Sequence, residues 1–351
     1  MLTIGLLALL HIAAPPGGVA YREPQLAASR NLVALAFGSG NSIFVSTSKD
    51  SGQKFSPPVK VYEGGILPLS RHRGPRVVIS RGTIIVTAVV GRTAEQGLHA
   101  HGMASDGDLI AWRSTDGGKT WRGGVRINDV PAAAREGLHT LAADGHGKLF
   151  SAWLDLRAKG TRLYGAHSND SGATWSPNIL IYASPDGTIC QCCHPSAAFA
   201  QTGELAVMWR NCLGGSRDLY LAESKDGQHF GTPQKLGHGT WMINACPMDG
   251  GGLAFDGNRI TTAWRRDQSI YLDEPGSLEE KLGEGKDVAV AAAHGRIHVA
   301  WIDNARLETW SSGKVSTLSD GASFPNLAPL PGGEVLAAWE KDGGISLERL
   351  P

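Results

Sequence analysis

The sequence has no excess charge of either sign: lysine plus arginine and aspartate plus glutamate number 33 each. That balance removes the two readings that need a net field, a basic nucleic-acid face and an acidic solvating tail. Beyond its start the chain also lacks any apolar run long enough to cross a bilayer as a helix. Cysteine is scarce at five, an odd number, which leaves one thiol over unless a metal or a partner takes it. Length alone, at 351 residues, does not choose between one large domain and two ordinary ones.

Glycine is abundant, at 46 residues, and many short apolar segments lie between turn residues, the composition of a turn-rich β protein. The stretch from Leu2 to Ala14 is largely apolar and is followed by Pro15-Pro16-Gly17-Gly18 and then Ala20. A run this short before a small residue reads as a secretory signal over residues 1–20. Residues 21–351 are then a single domain with a periplasmic or secreted address and no membrane span, in a compartment that permits disulfides.

Four segments share one template: Ser48-Lys49-Asp50-Ser51-Gly52-Gln53-Lys54-Phe55, Ser114-Thr115-Asp116-Gly117-Gly118-Lys119-Thr120-Trp121, Ser168-Asn169-Asp170-Ser171-Gly172-Ala173-Thr174-Trp175, and the shorter Ser224-Lys225-Asp226-Gly227-Gln228-His229-Phe230. Each follows a β-like run. An aspartate that accepts backbone N–H groups closes a tight turn, with glycine at the strained dihedral. A second repeat runs through NLVALAF, TIIVTAVV, KLFSAWLDLR, ELAVMWRNC, RITTAWRR, RIHVAWID and EVLAAWE, each preceded by another apolar stretch across a turn. Seven such meanders predict an all-β fold, a β-propeller of seven blades. The last unit, Pro325 to Pro351, has room for three strands, so the segment before Glu23 is expected to supply the fourth and close the ring.

In a four-stranded blade, the loop leading into the innermost strand and the loop after the second strand open on one face. The turns between third and fourth strands open on the other. The first face therefore collects Tyr21 to Pro24, Arg71 to Arg76, Arg135 to His139, Cys190 to His194 and Asn244 to Asp249 from one loop set. From the other set come His99, His101, Met103, Asp155, Arg157, Arg210, Cys212, Arg265, Arg266 and Asp303. All five cysteines fall on this rim. Three readings stay open for them: disulfides tying loops together, a soft-metal site for copper or zinc, or redox-active or simply buried thiols. The donors of the second reading are Cys190, Cys192, Cys193, His194, Cys212, Cys246 and Met248, with His99 or His101 completing the shell.

With the four Ser-x-Asp segments in hand, the chain resembles the sialidase superfamily and its Asp boxes over nearly all of residues 21–351. EGLHTLAADGHGKLFSAWLDLR, DGTICQCCHPS, SRDLYLAESKDG and NACPMDGGGLAFDG look more narrowly like exported bacterial proteins of exo-α-sialidase type. The resemblance implies six blades where the repeat count implies seven. It also implies hydrolysis of an acidic glycan, with three arginines on the substrate carboxylate, an aspartate acid/base, and a tyrosine nucleophile activated by a glutamate. Carried onto this chain, Arg22 is the first clamp, in Tyr21-Arg22-Glu23-Pro24, where Glu23 replaces the family's apolar residue. Arg157, Arg210 and Arg265 are candidates for the other two, Glu136 for the activating carboxylate and Asp155 for the acid/base. The late nucleophilic tyrosine is missing, because Tyr271 lies within the strand SIYLDE; Tyr21 stands in, or water attacks directly. A non-catalytic propeller that binds an anionic small ligand or a metal is the alternative; independently of both, the arginines after the strand-end tryptophans have a plain structural reading, in which they pair with Asp155, Asp267 or Asp303 across blades.

Overall fold

The computed structural model describes residues 9–96 and 102–350. Its strands form seven four-stranded antiparallel sheets, arranged as the seven blades of a β-propeller. In chain order the innermost strands are Arg22–Ser29, Arg76–Ser80, His139–Ala143, Ser196–Phe199, Gly252–Asp256, Lys286–Ala293 and Ser323–Pro329. The sheet count sets aside the six-bladed alternative. His99 and His101 lie outside the described residues.

Within a blade, burial follows position. The second strands Leu149–Asp155 and Leu205–Arg210 are buried at every residue, because sheet neighbours flank them and other blades cover both faces. The outermost strand Arg122–Arg126 is exposed at every residue. Apolar side chains gather in layers between neighbouring blades, with the second-strand tryptophans Trp153, Trp209, Trp301 and Trp339 fully enclosed. One layer joins the first blade to the last, with Val33, Leu35 and Phe37 against Leu336, Ala338 and Ile345.

Ring closure uses the N-terminal segment. Leu10–Ile12 is the outer strand of the seventh blade, in the register Leu10↔Leu347 and Ile12↔Ile345. Those residues lie inside the stretch read as a leader, so cleavage at Ala20 would leave this blade with three strands. The four Ser-x-Asp turns repeat one bonding scheme. In the first, Ser48 Oγ donates to Asp50 Oδ1 at 2.7 Å, Gly52 N donates to Ser48 Oγ at 2.8 Å, and Lys54 N donates to Asp50 Oδ1 at 2.9 Å. In the shortened fourth turn, Gly227 N reaches Ser224 Oγ at 2.9 Å. All four join third to fourth strands, away from the cysteine loops.

The opposite end is shaped by a recurring irregularity. The innermost strands of the first, sixth and seventh blades slip register near their starts, between Arg22 and Gln25, Lys286 and Ala289, and Ser323 and Asn326. Each slip contains a non-glycine residue at positive φ: Glu23 at 55°, Asp287 at 59° and Phe324 at 48°. A bulge at a sheet rim redirects a side chain. Glu23 and Asp287 join one charged network there, and Phe324 packs against one of its members.

Candidate functional site at the cysteine-bearing end

The innermost strands line a central channel of ≈ 330 Å³, walled for most of its length by small or apolar residues such as Ala27, Val78 and Val290. At one end His72, Arg76 and His194 enter the lining. His72 Nε2 lies 2.9 Å from Asp287 Oδ1, and its ring is 4.4 Å from that of His194 and 5.3 Å from that of Phe324. His72 N donates to Glu23 Oε1 at 2.9 Å, Glu23 N donates to Glu340 Oε1 at 2.7 Å, and Arg22 caps Glu340 at 2.9 Å. On the other side Asp249 Oδ2 accepts Asp287 N at 2.8 Å, while the Asp249 carbonyl accepts Arg210 Nε at 3.0 Å. Groups from six of the seven blades or their leading loops are thus joined in one largely buried network.

Burial and neighbours displace these groups in different directions. Burial opposes an imidazolium at His72, but the bond to Asp287 and the charges of Asp287, Glu23 and Asp249 raise its pKa above the ordinary 6.5. Burial also works against the Asp287 carboxylate, and His72, Lys286 and Arg265 overcome it to hold the pKa low. Asp249 and Glu23 are raised, first by burial. Burial depresses His194 well below 6.5 and His139, bonded to Thr87 Oγ1 at 3.0 Å, to about 3.

A pH optimum of stability follows. A raised His72 contributes fully below its unfolded value and loses that contribution as pH rises through its folded value. Asp249 and Glu23 have the same sign from lower starting values. Depressed His139 and His194 contribute fully above 6.5 and lose it as pH falls toward their folded values; Asp287 loses its contribution below the ordinary 3.8. Stability is expected to peak near neutral pH and to decline above 6.5 as His72 loses its proton. Thermal unfolding from pH 6 to 9 checks this: His72→Gln should abolish the alkaline decline, and a wild-type Tm that rises across that range would contradict it.

Beside the network sit three thiols. Cys190, Cys192 and Cys193 are 0%, 7% and 1% exposed, with Cys190 Sγ 3.7 Å from Cys192 Sγ and 3.5 Å from Cys193 Sγ, and Cys192 Sγ 4.0 Å from Cys193 Sγ. Met248 packs on them. The loop is tied to two blades, by Ile189 N to Thr161 O at 3.0 Å and Cys190 N to Arg210 O at 3.1 Å. Hydrogen bonding from its two neighbours holds the Cys190 thiol down at about 3, while Cys193 is pushed up to about 12, first by burial and then by Cys190. All five cysteines are free thiols here. His194, Cys212 and Cys246 stand outside the three-sulfur cluster. His194 Nε2 instead lies 3.1 Å from Gly251 O, Cys212 is only partly buried and Cys246 is exposed.

Most residues expected to act on substrate are committed elsewhere. Tyr21 is core, 6% exposed, its ring 4.4 Å from Phe37, where a nucleophile would have no access. Asp155, 1% exposed, is held by Trp153 Nε1 at 2.8 Å and by Arg157 Nε and one terminal nitrogen at 2.9 Å each. Arg157 directs two further donors to Asn178 and Asp129. Arg210 donates to three carbonyls, of Asp249, Arg217 and Arg265. Glu136, its pKa raised by burial, packs beside buried Arg73, whose Nε donates to the Glu136 carbonyl at 2.7 Å and whose terminal nitrogen lies 3.7 Å from the carboxylate. Two of the expected arginines keep an open side: Arg22, half-exposed beside Glu340, and Arg265.

Arg265 lines a groove of ≈ 490 Å³ between the fifth and sixth blades, with Gln268, Glu284, Lys286, Asp303 and Asn304. Its Nε donates to Asp267 O at 2.6 Å, and among the described residues no carboxylate pairs with its guanidinium. Asp303 is paired with Arg306 at 2.8 Å, and Lys286 Nζ lies 3.8 Å from Asp287 Oδ2, so the groove adjoins the network.

No family model matches the chain, and no curated protein does. Solved structures do resemble it. An α-L-arabinanase of Penicillium chrysogenum, complexed with arabinobiose, aligns with a TM-score of 0.58 and 14% identity over 98% of each chain. A polysaccharide lyase, an ulvan lyase bound to -[GlcA(1-4)Rha3S]-, aligns at 0.57 and 11% over 94% of this chain and 93% of that one. A Hadza microbial sialidase aligns at 0.54 and 15% over 92% of this chain and 74% of that one. At these identities the likeness is one of fold, a β-propeller architecture shared by proteins that act on different glycans.

Proposed function

We propose that the protein is an exported, glycan-directed propeller that takes an acidic sugar in the groove between its fifth and sixth blades and hydrolyses it. The observation that carries this reading is the pairing of Arg265 and Lys286 across a polar groove beside the His72–Asp287 pair. An unpaired guanidinium fork suits a sugar carboxylate. Glycoside hydrolysis further needs a proton donor and a group that stabilises developing positive charge. His72, with its raised pKa, is assigned the first role from the adjoining central channel, and ionised Asp287, which reaches the groove through Lys286 at 3.8 Å, the second. Structural neighbours with named glycan ligands, one of them a uronic-acid chain, support the substrate class.

The finer reading, an exo-α-sialidase, would use Arg265 as its carboxylate contact and a water nucleophile, since Arg22 is paired with Glu340 outside the groove lining and Tyr21 is enclosed. A fluorogenic sialoside and a uronic-acid oligosaccharide test the two levels in turn. Binding of the acidic ligand should weaken about tenfold for each of Arg265→Ala and Lys286→Ala. Turnover no faster than a denatured control, together with equal affinity for neutral and acidic oligosaccharides, would end the proposal.

A further inference from the structure

The three buried thiols have a geometry that the glycan reading does not use. Their sulfur separations of 3.5, 3.7 and 4.0 Å are far beyond a disulfide bond. They are close to what a shared ion demands: with metal–sulfur bonds of about 2.3 Å, a tetrahedral face has edges of about 3.8 Å and a trigonal plane edges of about 4.0 Å. We propose that Cys190, Cys192 and Cys193 bind one copper(I) ion, with the Met248 thioether as its fourth donor.

Donor chemistry chooses the ion. Zinc completes a thiolate set with imidazole, carboxylate or a fourth thiolate. Among the described residues no histidine, acidic group or further cysteine reaches the cluster. Met248 is the side chain that packs on it, and a thioether is a soft donor that suits copper(I). The backbone holds Met248 at φ 57°, an unfavourable value for a residue with a side chain. Charge agrees as well. Three thiolates around a monovalent ion carry two net negative charges, and the buried guanidinium groups of Arg73 and Arg210 lie close enough to act on these sulfurs. Arg210, together with Arg73, which is shared with Glu136, therefore offsets part of that anionic charge in a site with little access to water.

The test uses the full chain, reduced and titrated with the acetonitrile complex of copper(I) against a chromogenic copper(I) chelator. One copper per chain should be retained, with an ultraviolet thiolate-to-copper band. Cys190→Ser and Cys193→Ser should abolish retention, the Cys212→Ser/Cys246→Ser pair should leave it intact, and Met248→Leu should weaken it roughly tenfold. Should the cluster variants fail to fold, alkylation of the wild type decides: copper should shield three thiols and leave Cys212 and Cys246 reactive. The proposal fails if the chelator strips the copper completely, if zinc displaces copper at equal concentration, or if copper loading protects none of the three sulfurs.

Discussion

Arg210→Ala is expected to destabilise the protein by about 3–5 kcal/mol, measured as a lowered urea midpoint with an unchanged slope. Arg210 ends the second strand of the fourth blade, and its side chain is 1% exposed. It donates 3.0, 2.5 and 2.9 Å bonds to the carbonyls of Asp249, Arg217 and Arg265, segments of two blades and the loop between them, and lies 5.2 Å from the Trp241 ring centroid. Truncation would leave those carbonyls without their donor inside the structure, and an unmade buried bond costs the full desolvation of its acceptor. Arg210→Lys should recover only part of the loss, because an ammonium lacks the planar fork that reaches three acceptors at once. A substrate clamp would behave otherwise. If Arg210→Ala folds with wild-type stability and loses only affinity for an acidic glycan, Arg210 belongs to the site and not to the scaffold.

The architecture was readable because each blade repeats one strand–turn–strand unit. Trp153, Trp209, Trp301 and Trp339 each sit late in a second strand and fill the slot between blades, so a physical requirement recurs as a visible letter. Counting those units distinguished seven from six. The missing fourth strand of the last unit was legible as a need, since an unpaired edge must be covered, but the strand that covers it, Leu10–Ile12, lies in residues the same reading gave to a leader. Topology also placed the cysteine loops together, though it could not say that only Cys190, Cys192 and Cys193 would touch.

Residue roles were far less legible. Arg157 follows Asp155 by two positions, a spacing that reads as two active-site groups and folds as one bidentate pair across the start of a loop. Tyr21 sits next to the rim in sequence, yet its ring turns between Phe37 and Phe44 because the chain is entering the core there. The network around His72 was missed because its geometry depends on the bulges at Glu23 and Asp287. Ordinary residues at positive φ carry no mark in a sequence; a glycine would have done so. The one available signal was a shared pattern at the starts of three innermost strands, where Arg22-Glu23-Pro24, Lys286-Asp287-Val288 and Ser323-Phe324-Pro325 occupy equivalent places.

Asp155→Ala should cost a comparable amount, about 3–4 kcal/mol, for a different reason. Its carboxylate is 1% exposed and accepts four bonds, from Trp153 Nε1, Arg157 N, Arg157 Nε and a terminal nitrogen of Arg157. Removing it strips the mostly buried Arg157 guanidinium, which stacks 4.0 Å from the Tyr164 ring, of its closest anion and leaves Asp129 as its remaining carboxylate. Asp155→Asn should be nearly as damaging, because one of its two head atoms becomes a donor facing donors. Adding Arg157→Met to Asp155→Ala should then restore part of the loss, since the cation left behind is removed with its partner. A double-mutant cycle on urea unfolding reads this coupling directly. A catalytic acid predicts the opposite pattern: Asp155→Asn folding like the wild type, no coupling to Arg157, and loss of turnover alone. The bonding around Asp155 favours the first outcome, because a carboxylate with four donors already in place has no free position for a glycosidic oxygen.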